Sequence, residues 1–224
     1  MTARADAIDV FDVATSWFLD VVTGIAPAAW AAPGLGVWNV RELVGHSARA
    51  MVTVEQYLTL PDHVTDGEPP AAPDDADGEA ATARAASYFV GLRGNTALHD
   101  DVAERGRQAG AQLPAEAGAV LATLEAQTAR VLAALRAAPA GAYFRTRFGS
   151  VPFTAYLRTR TVELAVHTVD LVRACGGEPE MPAPVASSVV AVLGELAVQR
   201  GSGFELIAAV SGRVALDPAF GVFR

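Results

Sequence analysis

Five polar residues recur at helical spacing within one otherwise apolar segment. Tyr156, Arg160, Glu163, His167 and Asp170 are separated by four, three, four and three residues, so a helix would carry all five on one face. The intervening positions are largely Leu, Val and Ala, and we expect such a helix to be buried over more than half of its circumference. Buried carboxylates and imidazoles are costly unless they are neutralised, paired or coordinated. Metal ligation meets that requirement.

Glu163 and His167 stand at positions i and i+4, so their side chains can reach one ion from adjacent turns. The best candidate for a third ligand is His46, which lies in the middle of another apolar helical segment. Two His and one Glu are the open ligand set of catalytic zinc, although nickel, iron or manganese can use it too. The alternative is structural: Glu163 pairs with His167 or Arg160, and His46 is a hydrogen-bonded core residue.

The remaining nucleophiles and ligands are less promising. His63 and His99 lie in or beside polar segments and are not expected to bind metal. Cys175 is the single cysteine, so the chain forms no internal disulfide. No histidine adjoins Cys175 in sequence, and we interpret it as a small residue at a helix end rather than a nucleophile.

Apolar periodicity and helix stop signals predict an all-α bundle with an additional C-terminal helix and a short tail. The first helix is expected to bury a stripe at steps of three and four, made of Val10, Val13, Ala14, Trp17, Phe18 and Val21. Asn39 and Glu42 form a capping box that opens the second helix. No hairpin is predicted. The six predicted helices cover residues 9–22, 40–60, 79–108, 114–138, 152–174 and 184–200, and a short apolar piece covers 204–210.

The length of 224 residues fits one domain. We assign residues 1–178 to the metal-binding helical bundle, and residues 179–224 to a C-terminal helix and tail packed on it. Residues 61–78 contain four Pro, two Gly and six acidic residues, which predicts a mobile acidic loop, either a lid or a solvated insertion.

Composition excludes several function classes. With 51% apolar and 19% charged residues and a mean hydropathy of +0.27, the chain is expected to pack as a globular protein. A net charge of -8 argues against nucleic acid as a partner. Acidic residues interrupt the N-terminal apolar segment and no continuous apolar helix reaches membrane length, so a cytoplasmic protein is expected. The choice between monomer and homodimer stays open.

Two segments carry a resemblance to a known family. The sequence from Trp38 to His46, WNVRELVGH, resembles the helix-opening pattern of DinB-like bundles, specifically the mycothiol-dependent maleylpyruvate isomerase N-terminal family. The sequence from Arg160 to Asp170, RTVELAVHTVD, resembles that family's second motif, and the overall match covers about residues 9–175. The two motifs occur in the family's order, which makes their combination more specific than either motif alone.

The resemblance implies a four-helix bundle that holds a divalent metal, usually zinc, through His46, Glu163 and His167. It also implies mycothiol, a low-molecular-weight thiol, as cofactor or co-substrate, and a small electrophile as substrate. A thiol at the open metal position would be deprotonated near neutral pH and available for transfer or isomerisation chemistry. On this hypothesis Arg160 anchors an anionic part of the thiol or substrate, Asp170 orients a metal ligand, and Tyr156 lines the pocket.

The sequence departs from the isomerase in one respect. The resemblance is to a protein with a second domain that supplies substrate-binding residues, whereas here about 50 residues follow Cys175. We therefore do not expect maleylpyruvate isomerisation itself, and we predict that Arg213 in the tail reaches the site and binds the cofactor together with Arg160.

Two other functions remain open at this stage. A zinc hydrolase would use metal-bound water, with Asp170 or another carboxylate as base. A non-catalytic metal-binding or stress-response bundle would have a saturated metal shell, with Asp170 as a fourth ligand.

Overall fold

The computed structural model describes residues 2–59, 78–91, 96–146, 149–217 and 219–223, without the side chains of 59 and 96–100. Its described part is mostly helical, which confirms the predicted fold class. The helices are α1 Ala3–Thr23, α2 Val40–Tyr57, α3 Gly78–Val90, α4 Thr96–Gln112, α5 Ala117–Ala137, α6 Phe153–Ala174, α7 Ala183–Gln199 and α8 Gly203–Val210. The strands are β1 Leu58–Thr59, β2 Tyr143–Thr146 and β3 Gly149–Pro152, and one 3-10 turn covers Pro27–Ala29.

Four helices form the central bundle. Both α6 and α5 pack against α1 and α2, which closes a four-helix arrangement around one apolar core. The other helices add to its outside: α4 packs on α2, while α3 and α7 pack on α6 and on each other. The C-terminal part contains two helices rather than one, because the short apolar piece forms α8 against α7.

The buried stripe of the first helix overlaps the predicted one, since Ala14 and Phe18 are buried as expected, but it is rotated away from Val13. The helix starts six residues earlier than expected, at Ala3, where the Thr2 hydroxyl accepts a hydrogen bond from the Ala5 amide. Its buried stripe includes Ile8, Phe11 and Phe18, whereas Val13 is 36% exposed. The helix is apolar on most sides, so steps of three and four fit two neighbouring stripes, and only packing against α5 and α6 selects one.

The start of α2 agrees with the predicted capping box. The Asn39 side chain accepts a hydrogen bond from the Glu42 amide, and the Glu42 carboxylate accepts one from the Asn39 amide, both at 2.9 Å. This cap fixes where the helix begins and hence which residues share a face. His46, Arg49 and Thr53 follow at steps of three and four and point to the same side of α2.

The prediction of a single third helix was wrong. The segment is divided into α3 and α4, with Gly91 and Gly94 in the intervening sequence and residues 92–95 outside the described part of the chain. The backbones of α4 and α2 approach each other very closely. A Cβ added at Gly45 would lie only 2.4 Å from the Gly110 amide nitrogen. Glycine at these contacts lets α4 pack closely beside the face of α2 that carries His46.

A small antiparallel sheet was not predicted. β2 pairs with β3 from Tyr143 opposite Pro152 to Thr146 opposite Gly149, and β1 pairs with β2 on the other side. Strands of two to four residues give too short an alternation to be recognised in a sequence. The sheet connects the end of α2 with the start of α6, so it helps to fix the relative position of these two helices.

Two further predictions concern an acidic loop and the absence of a membrane-spanning helix. Most of the predicted acidic loop, residues 61–77, lies outside the described residues. Within the described part, no helix is both long enough and apolar enough to cross a membrane.

Candidate metal centre

The polar face of α6 forms one wall of a cavity of about 260 Å³. Its opposite wall is the face of α2 that carries His46, and α4 contributes a third side. Trp38, Tyr88 and Thr146 close the remaining edges from the loop before α2, from α3 and from β2. Four of the five polar residues predicted on α6 line this cavity: Tyr156, Arg160, Glu163 and His167.

Three potential metal ligands converge at one end of the cavity. One donor atom each of His46, Glu163 and His167 lies within 4.8 Å of the other two. His167 Nε2 is 3.7 Å from Glu163 Oε2, and the two imidazole centroids are 4.7 Å apart in an edge-to-face arrangement. Residues more than 110 positions apart in sequence thus share one small volume, as a metal site requires.

The surroundings of His46 keep its imidazole neutral. Burial, followed by the charges of His167 and Arg49, lowers the pKa of His46 to about 3. The indole of Trp38 stacks on the ring at a centroid distance of 4.2 Å. Nδ1 of His46 is buried and has no hydrogen-bond partner among the described residues. A neutral imidazole with an unsatisfied buried nitrogen fits a metal ligand, and the two-His, one-Glu donor set suits zinc.

Asp170 lies beside His167 rather than within the converging group. Its Oδ2 lies 3.1 Å from Nδ1 of His167, on the ring edge opposite to the one that faces Glu163. A carboxylate acceptor at Nδ1 favours the proton on that nitrogen and leaves the Nε2 lone pair directed toward the other donors. Asp170 is absent from the group within 4.8 Å, so the geometry does not provide it as a fourth ligand.

Arg160 and Tyr156 lie deeper in the same cavity. The Arg160 guanidinium carbon is 4.9 Å from the Tyr156 ring centroid and 5.7 Å from that of Tyr88. Burial by itself would lower the pKa of Arg160, but Tyr156 and Glu163 outweigh it and the net pKa is raised. Burial raises the pKa of Tyr156 to about 12, against the opposing effect of Arg160. At neutral pH the pocket therefore contains a charged guanidinium beside a neutral phenol.

Sequence reasoning missed several residues of the cavity. Arg49 follows His46 by three positions on α2, a spacing that could have identified it. Tyr57 lies two turns further along the same face. Arg105 and Tyr88 carry no comparable signal, because their presence depends on how α4 and α3 pack against the bundle.

Some predicted residues lie elsewhere. The structure does not bring Arg213 to the cavity: its side chain is exposed and donates a hydrogen bond to the Ser211 carbonyl at 2.6 Å. Cys175 is exposed at the end of α6, and partial burial raises the pKa of its thiol. His63 lies outside the described residues, and so does the side chain of His99.

Comparison with known proteins identifies one family. The family model described as mycothiol maleylpyruvate isomerase N-terminal domain matches residues 11–172, which is more than two thirds of the chain and includes both candidate ligand segments. No curated protein and no solved structure matches the chain significantly. The helices α7 and α8 lie beyond the matched range.

Proposed function

The chain belongs to the mycothiol maleylpyruvate isomerase N-terminal domain family, and from this premise we propose that it is a divalent-metal-dependent enzyme. It activates a low-molecular-weight thiol, mycothiol, for transfer to a small electrophile or for the isomerisation of one. The observation that carries this proposal is the convergence of His46, Glu163 and His167 at the end of a cavity large enough for a small molecule.

The residues of the site have separate tasks in this proposal. His46, Glu163 and His167 hold the ion, zinc being the best fit, and Asp170 fixes the orientation of His167. A divalent ion bound there would lower the pKa of a thiol at its open position and supply a thiolate at neutral pH. The chain then needs no nucleophilic cysteine, in keeping with the position of Cys175 outside the cavity.

The deeper part of the cavity positions the reactants. Arg160 anchors an anionic group of the thiol or the substrate through charge-assisted hydrogen bonds. The Tyr156 phenol keeps its proton at neutral pH and presents a hydrogen-bond donor and an apolar ring to the substrate. Trp38 stacks on His46 and excludes water from that side of the ligand. We place this chemistry in the cytoplasm, where low-molecular-weight thiols are kept reduced.

The first test is the metal content of the full chain, measured by mass spectrometry for the parent, for His46→Ala and for His167→Ala. About one ion per chain is expected in the parent and a loss of the ion in both variants, with unchanged helical circular dichroism. His99→Ala is the matched control and should keep its ion. A parent chain that holds no metal and takes up none from added zinc would contradict the proposal.

The second test separates thiol chemistry from hydrolysis. The metal-loaded protein is offered a panel of small electrophiles with and without mycothiol, and products are followed by mass spectrometry. Adducts or isomers that form only with the thiol support the proposal. Turnover that needs no thiol would instead identify a hydrolase, and a metal-loaded protein inactive under both conditions would favour a non-catalytic bundle.

A further inference from the structure

Three arginines gather around the cavity in a chain that is strongly acidic overall. Arg49 comes from α2, Arg105 from α4 and Arg160 from α6, and we call them the arginine cluster. The chain has a net charge of -8, so this concentration of positive charge is a local feature. Like charges at close range repel, and a protein keeps them together where a ligand of opposite charge compensates for the repulsion.

Arg49 is the least compensated member of the cluster. Its side chain makes no hydrogen bond or ion pair within the described residues, although it is partly buried against the cavity. Burial, followed by the charge of Arg105, lowers the pKa of the Arg49 guanidinium, and Arg160 contributes in the same direction. The three guanidinium groups line one cavity, and Arg105 and Arg160 are close enough to Arg49 to disfavour its charged form.

Arg105 is only partly paired. Its Nη2 lies 3.2 Å from Asp101, but its Nε is buried and has no hydrogen-bond partner in the described part of the chain. Among the described residues that line the cavity, Glu163 is the one carboxylate beside three guanidinium groups, and Asp101 pairs with Arg105 from outside the lining. Positive charge remains in excess, and a divalent ion at the candidate metal centre would increase that excess.

We infer that the arginine cluster forms a subsite for an oxyanion, a carboxylate or a phosphate group, next to the candidate metal centre. Guanidinium groups from two or three helices bind such a group through several charge-assisted hydrogen bonds. The substrate that this pocket selects is accordingly an acidic electrophile. Its anionic group is held by Arg49 and Arg105, and its reactive carbon faces the three candidate metal ligands. The term substrate rests on the proposed function, whereas the binding of the oxyanion itself does not.

The test is isothermal titration calorimetry on the full-length protein at low ionic strength. Succinate and inorganic phosphate are the two oxyanion probes, and neutral succinamide is the control ligand. Succinate or phosphate should bind, succinamide should not, and the relative affinity of the two anions distinguishes a carboxylate from a phosphate subsite. Arg49→Gln and Arg105→Gln should each weaken anion binding by about tenfold or more, since each loses charge-assisted hydrogen bonds.

Matched variants separate the subsite from general charge and from folding. Arg107→Gln changes the same charge on the same helix, at an exposed residue that pairs with Glu104 at 2.7 Å, and should bind the probes like the parent. Arg49→Lys and Arg105→Lys keep the charge and should recover part of the affinity, which shows that a variant has not simply unfolded. Equal binding in the Gln variants and the parent, equal binding of succinamide, or no binding of either anion by the parent would overturn the inference.

Metal content, measured in the same samples before and after chelation, keeps the two proposals apart. Anion binding that persists without any metal, and that depends on Arg49 and Arg105, supports the subsite even if the proposed metal chemistry fails. Metal uptake through His46 and His167 without anion binding would leave the proposed function standing and remove the subsite.

Discussion

The neighbouring helices α6 and α7 pack against each other, yet their inward faces differ in polarity. The buried residues of α7 are all aliphatic: Val185, Val189, Val192, Leu196 and Ala197. The middle of α6 instead carries Arg160, Glu163 and His167 on a partly buried face. One helix devotes its buried face to packing, and the other gives up part of that packing to hold polar groups around a cavity.

This difference indicates that α7 mainly contributes to stability and that α6 carries the residues of the candidate site. Burial of aliphatic side chains is favourable by roughly 25 cal/mol per Å², so α7 should add stability without influence on the site. Partly buried charged groups contribute little or negative stability by themselves, and their presence on α6 is explained by what they bind. Substitutions on the two helices should therefore affect different measurements.

The largest expected effect is the loss of metal in Glu163→Leu. This variant removes one of three converging donors and should abolish measurable metal binding. In the chelated state its free energy of unfolding should fall by no more than about 1 kcal/mol, because Arg160 loses a counter-charge while an apolar group replaces a partly buried carboxylate. Urea denaturation and metal titration measure the two quantities. Glu195→Leu on α7 is the control and should leave metal binding intact. Retention of metal by Glu163→Leu would contradict the assignment of Glu163 as a metal ligand.

On α7 the opposite result is expected from Leu196→Ala. Leu196 is fully buried, so its truncation should lower the free energy of unfolding by about 2 to 5 kcal/mol. Metal affinity of the folded protein should not change. Val198→Ala, on the same helix at a residue that is 60% exposed, should cost less than about 0.5 kcal/mol. A large loss of metal affinity in Leu196→Ala, measured below its unfolding transition, would mean that α7 influences the site.

A smaller effect is expected from Asp170→Asn, which weakens the orientation of His167 without removing a ligand. Metal affinity should fall by about 10- to 100-fold, as is typical for groups that hold a ligating histidine. Competition with a fluorescent chelator measures the affinity. Asp12→Asn, which alters an exposed pair with Arg136, is the control. An unchanged affinity in Asp170→Asn would argue that His167 is held by its packing alone.

The smallest effect is expected at Cys175, just beyond the last turn of α6. Partial burial raises the pKa of this thiol, so the thiolate fraction at neutral pH is low and alkylation by iodoacetamide should accelerate steadily as the pH is raised into the alkaline range. Complete alkylation should leave metal content and thiol-dependent turnover unaffected, because Cys175 does not line the cavity. Mass spectrometry follows the modification, and a parallel loss of turnover would contradict the separation of this thiol from the site.

Sequence reasoning succeeded where the determining interactions are local. The capping box of Asn39 and Glu42 closes within four residues, and the polar face of α6 follows from helical periodicity. It failed where the answer depends on distant packing. Val13 was expected to be buried, and the break between α3 and α4 was not anticipated although two glycines lie there.

The sequence by itself determined the fold class, most of the helices, the family and the polar residues that α6 would carry, because helix formation, capping and spacing are properties of neighbouring residues. Only the tertiary structure decided that Arg49, Arg105 and Tyr88 share a cavity with them and that Arg213 does not. The positions of these residues depend on the rotation and separation of helices far apart in the chain. Those quantities are set by side-chain packing, such as the close contact of Gly45 with Gly110, and no local pattern encodes them.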